Sequence, residues 1–314
     1  MLRVKTTRCF AVFILFFTHF SFAEPSIELQ DKQVINRSTF VVGKVSSNFR
    51  KHRKMLAPMA AYLAKNMSDL GIQSGAVLLA KNNEEMIQFL KQGKVDLVTE
   101  TPFSAMLYTL EAPAEPIVRK WKKGVPTYYS IIFARNDSGI NQLSDLPGKT
   151  LAFEDPGSTS AYMLPLATLL RQGYTLVAKE SKNFIVPDDM IGYIFSGAEQ
   201  HTSQLVIRGV ADAGAISNLD WDKPDHIPIA HKRNYHIIHR SSAIPRAIEV
   251  IRSDLDANIK ARTKALLLNA HNDPQASRAL KRYQKTKRFD ELDEETLIRL
   301  EEIKKFSYLF STPN

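Results

Sequence analysis

Thiol chemistry is nearly absent from this sequence: its 314 residues include one cysteine, Cys9. That cysteine lies in the opening stretch MLRVKTTRCFAVFILFFTHFSFAE, where Arg3, Lys5 and Arg8 precede an apolar run from Cys9 to Phe17. Ser21 and Ala23 then supply small residues before Glu24, completing the pattern of a Sec signal peptide with cleavage expected after Ala23. Cys9 comes too early, at the start of the apolar core, to be the acylated cysteine of a lipoprotein. The mature chain is therefore expected to hold no thiol, which excludes disulfides, thiol nucleophiles and thiolate metal sites. The apolar run is also well short of the roughly 20 residues needed to cross a bilayer, and no later segment reaches that length. A soluble protein of the periplasm is expected.

Other absences narrow the chemistry. There is no H-E-x-x-H pair, no G-x-S-x-G elbow and no P-loop. The eight histidines are scattered, and no cofactor or metal is implied. No low-complexity linker divides the chain. The formal charge of +9 is not gathered into a block. Its densest runs, Arg50–Lys54 and Lys281–Arg288, fall in helix-like stretches with polar spacers and read as solvated faces. With export, nucleic acid is not an expected partner.

What is present is an alternation of strands and helices. TFVVGKVS (39–46), GAVLLA (75–80) and VDLVT (95–99) read as buried strands. Between them lie two amphipathic stretches, the second capped by Asn82 or Asn83 and ending near Gly93. The motif helix–G–x–x–D–strand occurs twice, in LKQGKVDLVTE and VIRGVADAGAIS. Two related α/β units far apart imply two lobes of similar build. Without a flexible linker, the chain is expected to cross between them on ordered strands, with Tyr128–Arg135 and Tyr235–Arg240 as the candidates. The corresponding division is a first lobe at 24–133, a second at 134–239, and a return to the first at 240–314.

The sharpest local feature is EDPGSTSAYMLPLATLL, residues 154–170, a turn opening into a helix. A helix start leaves backbone N–H groups without partners and carries partial positive charge, so it suits an anion. Ser158, Thr159 and Ser160 add hydroxyl donors, and Gly157 lets the backbone approach. An ordinary N-cap explains the same residues, so locally both readings stand. Pro165 is expected to kink the helix after roughly its first turn, leaving that turn a partly separate unit. Glu100 lies at the C-terminal end of a predicted parallel strand, where open sheets bind ligands. Glu199 and Asp212 flank the second α/β unit.

DPGSTSAYMLP resembles the D-P-x-S-T-S-G signature of the phosphate/phosphite/phosphonate-binding proteins of ABC transporters, with Ala161 replacing the final glycine. GKVDLVTETPFSA, GKTLAFEDPG, RGVADAGAIS and SSAIPRAIEVIRSDLDANIKA continue the resemblance in order, over roughly residues 38 to 290. It implies a type II periplasmic binding fold, two α/β lobes joined by two crossing strands with a ligand cleft between. It implies that Ser158, Thr159 and Ser160 hold a phosphorus oxyanion, that Asp212 faces the ligand, and that Ser46, Ser47 and Asn48 contribute from the loop after the first strand. Tyr128 lies near a crossing strand and is a candidate for the cleft lining. Glu100-Thr101 and Glu199 depart from the family pattern. Two carboxylates beside an anion site would favour a protonated oxyanion or a zwitterion.

The implied function is capture of a small anionic or zwitterionic solute by lobe closure and delivery to an ABC transporter permease, by a monomer without catalysis. The alternatives are a sensor partner of a membrane histidine kinase and, on the same fold, an enzyme. The second lacks a nucleophile–base constellation in this sequence.

Overall fold

A computed structural model describes residues 38–181 and 183–308. The expected signal segment lies outside the described residues. The first part of the chain runs β1 (Thr39–Val45), α1 (Phe49–Lys65), β2 (Ser74–Ala80), α2 (Asn83–Lys91), β3 (Leu97–Glu100), α3 (Pro102–Glu111) and β4 (Ala114–Lys120). A short β5 (Thr127–Tyr128) leads to β6 (Ser130–Arg135), β7 (Thr150–Phe153), α4 (Leu164–Arg171), β8 (Thr175–Ala178), β9 (Met190–Phe195), α5 (Glu199–Ile207) and β10 (Ala213–Ser217). Then come α6 (Asn218–Trp221), α7 (Ile229–Lys232), β11 (Tyr235–Arg240), β12 (Ile244–Pro245) and β13 (Ile248–Arg252). The chain closes with α8 (Ala257–Asn269), α9 (Ser277–Arg282), β14 (Phe289–Asp290) and α10 (Glu294–Ser307). No described helix is long and apolar enough to cross a membrane.

Two six-stranded sheets organise these elements, in the orders β14-β4-β13-β3-β1-β2 and β11-β6-β10-β7-β9-β8. Each has a parallel core, β2-β1-β3 in one and β8-β9-β7-β10 in the other. Antiparallel strands extend each core on one side, starting with β13 in the first sheet and β6 in the second. Helices cover the parallel strands, so β3, β7 and β10 are buried along their whole length.

The expected crossing strands need correction. β6 and β11 pair with each other inside the second sheet and do not bridge the lobes. The chain passes between sheets on the short pair β5 and β12, which form a two-stranded ladder of their own, Ile244 opposite Tyr128 and Pro245 opposite Thr127. Long β-rich runs attract attention as connectors, but their length serves the second sheet. The sequence also concealed α3, β4 and β9. Pro116 interrupts β4, and it is tolerated because the register with β13 shifts there.

The repeated helix–G–x–x–D–strand motif has one structural meaning in both lobes. Gly93 and Gly209 follow α2 and α5 with φ of +61° and +67°, a left-handed conformation that glycine adopts without strain. Three residues on, Asp96 accepts the N–H of Val41 and Asp212 accepts the N–H of Thr150, each at 2.8 Å. Each aspartate thus satisfies a backbone donor on the neighbouring parallel strand.

Candidate functional site

The C-terminal ends of the parallel strands of both sheets converge on one cleft. From the second sheet, β7 ends at Phe153 and delivers Glu154 and the turn that follows. Ser158 is the N-cap of a π-helical turn, Thr159–Met163, and its Oγ accepts the N–H of Ala161 at 3.2 Å. The N–H of Met163 bonds back to the carbonyl of Ser158, five residues away. Pro165 then stands in the first turn of α4 with no N–H to donate, and the hydroxyl-bearing π-helical turn runs directly into α4. Thr159 and Ser160 are both buried. Their N–H groups, at a helix start, have no intrahelical acceptor.

From the first sheet, β3 ends at Glu100, and Thr101 is the N-cap of α3. The N–H of Phe103, in the first turn of α3, donates to Thr159 Oγ1 at 3.1 Å. Two helix starts, one from each lobe, therefore meet at Thr159. The Oγ1 of Thr101, beside them, is buried and makes no hydrogen bond. Tyr128, on the crossing strand β5, is 2 % exposed. Burial pushes its phenol up, opposed by Arg246 and by hydrogen bonding with the Ser160 and Thr159 hydroxyls. The guanidinium of Arg246 stacks on the Tyr128 ring at 4.4 Å. Tyr128 was expected in the cleft; Arg246 was not.

Glu100 does not play the expected part. Its Oε1 accepts from Lys44 Nζ and from the N–H of Val45, both at 2.8 Å, and its Oε2 accepts from Thr101 N–H at 3.3 Å. With those partners the carboxylate is neutralised and contributes little net repulsion to an anion. The sequence could not show this, because Lys44 reaches Glu100 only through the pairing of β1 with β3. Burial and then the like charges of Arg246, Lys44 and Lys120 push the Lys122 ammonium well below the usual lysine range, and Glu100 is the carboxylate opposing that shift.

Several other candidates shift role. Asp212 precedes β10 at the N-terminal edge of the parallel strands, the end opposite the cleft, and its carboxylate is occupied by Thr150 N–H. It is a structural residue. Gly157 N–H donates to Asp155 Oδ1 at 2.6 Å and is not free for a ligand. In the loop after β1, Ser46 is buried, contacts His52 Nδ1 through its Oγ, and accepts the N–H of Asn48 at 2.9 Å. Asn48 caps α1 by accepting the N–H of Lys51, and Ser47 is exposed.

The second lobe adds an acidic group beside the turn. Ser158 Oγ donates to Glu154 Oε2 at 2.8 Å. Burial, and then the neighbouring Glu199 carboxylate, pushes Glu154 up to about 8. Glu199, at the start of α5, Asp220 and His226 bring possible ligand atoms within 4.8 Å of one another. Asp220 is already engaged by Lys223, by Ser217 and, at 3.1 Å, by His226. This is an ion-pair network, with Glu199 as its unsaturated member. Glu154 was legible only as the first residue of the turn; its partner Glu199 is 45 residues away in sequence.

The arrangement can bind an oxyanion: the hydroxyls of Thr159 and Ser160 lie at two helix starts, with Tyr128 and Arg246 beside them on the crossing segments. A family model described as "ABC transporter, phosphonate, periplasmic substrate-binding protein" matches residues 47–297. The chain is 31% identical over 183 residues to the phosphate-import protein PhnD of Mycolicibacterium smegmatis, a match covering 52% of this chain and 56% of that relative's length. Structures of XAC2383 from Xanthomonas citri bound to chloride ion and to ATP superpose with TM-scores of 0.83 and 0.82. Their sequences are 34% and 35% identical, over 87% of this chain and 98% of theirs. PhnD1 from Prochlorococcus marinus in complex with methylphosphonate, 18% identical, superposes with a TM-score of 0.62 over 87% of this chain and 98% of that one, and so shares the type II periplasmic binding fold. On this evidence the chain belongs to the family of periplasmic substrate-binding proteins of phosphonate ABC transporters.

Proposed function

We propose that this protein captures a phosphorus oxyanion in the cleft between its two lobes and presents it to the permease of an ABC transporter. The single observation that carries this reading is the meeting of two helix starts at Thr159, flanked by Ser160, Tyr128 and Arg246. Hydroxyl and N–H donors fixed in a buried place replace the water around an oxyanion without having to reorganise. Each sheet with its helices forms one lobe, and closure turns on β5 and β12. The names of the relatives support the ligand class, since one imports phosphate and others were solved with ATP or methylphosphonate.

The family is one of transport binding proteins, and the chain acts without chemistry of its own. It works in the periplasm after removal of residues 1–23, as a monomer. The test is calorimetric titration of the mature protein with phosphate, methylphosphonate and ATP. Thr159→Val with Ser160→Ala is expected to weaken the bound member by at least 100-fold while the melting temperature of the empty protein moves by only a few degrees. Unchanged affinity would remove the turn from the site, and binding of none of the three would remove the ligand class.

A further inference from the structure

We propose that the cavity between α4 and α10 is a second ligand site, for a small organic carboxylate with an apolar body, and that its occupation tightens oxyanion binding in the cleft. The coupling rests on the reading of the cleft as an oxyanion site; the cavity itself does not.

Two helical faces of matching pattern frame this cavity. Leu164, Ala167, Thr168 and Arg171 lie at i, i+3, i+4 and i+7 on α4, and Arg299, Glu302, Ile303 and Phe306 repeat that spacing on α10. Both stripes line a space of about 370 Å³, whose remaining wall comes mainly from residues 239–242 and Ile244. Packed helices normally interdigitate at close to crystalline density, so a gap of this size between two such stripes is room for a guest. The volume sits at the lower end of the roughly 300–1,000 Å³ usual for small-molecule pockets, which sets the size of that guest.

The lining specifies an acidic head on an apolar body. Ala167, Ile244, Ile303 and Phe306 are each buried and supply the apolar part. Three arginines, Arg171, Arg240 and Arg299, stand against one carboxylate, Glu302. Arg299 Nη1 donates to Glu302 at 3.1 Å, while Arg299 Nε is buried and makes no hydrogen bond. Arg171 and Arg240 are exposed, and among the described residues neither has an acidic partner or a side-chain hydrogen bond. Burial holds the His239 imidazole below its usual range, so it adds no charge at neutral pH. Guanidinium groups take a planar carboxylate through paired N–H donors. Inorganic phosphate would leave the apolar wall without a partner, and an amine would meet an excess of positive charge.

The cavity also touches both elements that shape the cleft. Met163, in its lining, ends the π-helical turn that begins at Thr159, and Ile244 pairs with Tyr128 across the crossing strands. Its two helical walls come from different lobes: α4 follows β7 in the second, and α10 packs on α3 in the first. The cavity is present while the N–H of Phe103 reaches Thr159 from one lobe to the other. A guest that bridges α4 and α10 holds them in that arrangement and so favours the state in which the two helix starts meet.

The experiment is an NMR titration of the mature protein with hexanoate, hexylamine and acetate, then calorimetric titration of methylphosphonate with and without saturating hexanoate. Hexanoate is expected to bind about 10-fold more tightly than hexylamine, which reverses the charge of the head, or acetate, which lacks the body. Arg171→Ala with Arg240→Ala removes two exposed charges and should weaken hexanoate by about 10-fold. Ala167→Met, which fills the cavity and keeps the arginines, should weaken it as much. Saturating hexanoate should tighten methylphosphonate by about 5-fold, and the gain should vanish in both variants. No hexanoate binding, equal binding of hexylamine, binding untouched by both variants, or displacement of hexanoate by methylphosphonate overturns the site. Hexanoate binding that leaves methylphosphonate affinity unchanged overturns the coupling. If methylphosphonate does not bind at all, the reading of the cleft and the coupling fall together, and the hexanoate titration still decides the cavity.

Discussion

Inside the cleft, hydrogen-bond partners and burial set the charge that each carboxylate presents to a ligand. Glu100 reads as a carboxylate aimed at an anion, yet Lys44 and two backbone N–H groups occupy it. Glu154 looks like one more acidic turn residue, yet burial, and then the neighbouring Glu199 carboxylate, keeps it protonated near neutrality. The consequence can be measured. A carboxyl whose folded pKa is raised from 4.5 to about 8 binds its proton more tightly in the folded chain across that interval. Its contribution to stability is complete below about pH 4.5 and is lost as pH rises through 8. Urea denaturation at pH 5.5 and 8.5 should show Glu154→Gln losing less stability than the unsubstituted protein over that rise. An equal loss in both would place the cause elsewhere. The Ser158–Thr159–Ser160 signature was legible because its three hydroxyls are consecutive. Arg246 was not, because nothing local distinguishes it from a solvated cation.

At the scale of the element, the sequence displayed a repeat whose meaning it did not disclose. G-x-x-D appeared twice and suggested two lobes of related build, while the family resemblance implied that the second-lobe aspartate faces the ligand. The structure shows Asp96 and Asp212 doing the same work, each accepting a backbone N–H of an adjacent parallel strand. The duplication was the clue, since two copies on two sheets favour a shared structural task over a single site. Asp212→Ala should therefore cost about 1–3 kcal/mol of stability, the penalty of a buried N–H left unpaired, in chemical denaturation. Oxyanion affinity of the folded variant should stay within about 2-fold. A large loss of affinity at unchanged stability would return Asp212 to the binding site. The strands β4 and β9 escaped notice for a related reason. Pro116 in β4 and the turn residues before β9 are penalised by local propensity, and only the neighbouring strands make them tolerable.

At the scale of the molecule, the C-terminal segment is pinned to the first sheet by a buried polar network. Lys120 on β4 and Glu249 on β13 are both fully buried and pair at 3.2 Å. Tyr283 donates to Glu249 at 2.8 Å and offers its ring to Lys120 at 4.5 Å, while Gln284 accepts from Lys120 at 2.8 Å. Lys120→Met strands the Glu249 carboxylate in the core and should destabilise by about 3–5 kcal/mol. Lys120→Met with Glu249→Leu should recover most of that loss, as read from melting and denaturant midpoints. If the double variant is no better than the single, the cost is one of packing and not of charge. The same network ties residues 283–284, after the second crossing, to a strand that precedes the first.

The sequence by itself determined the class of fold, the two related α/β units and the hydroxyl-rich turn, because periodicity and consecutive motifs are properties of neighbouring residues. The tertiary structure decided which charges are neutralised. Lys44 with Glu100 and Lys120 with Glu249 are partners brought together by strand pairing across 56 and 129 residues. Those pairings exist only once the first sheet has formed, since no local pattern brings residues so distant together.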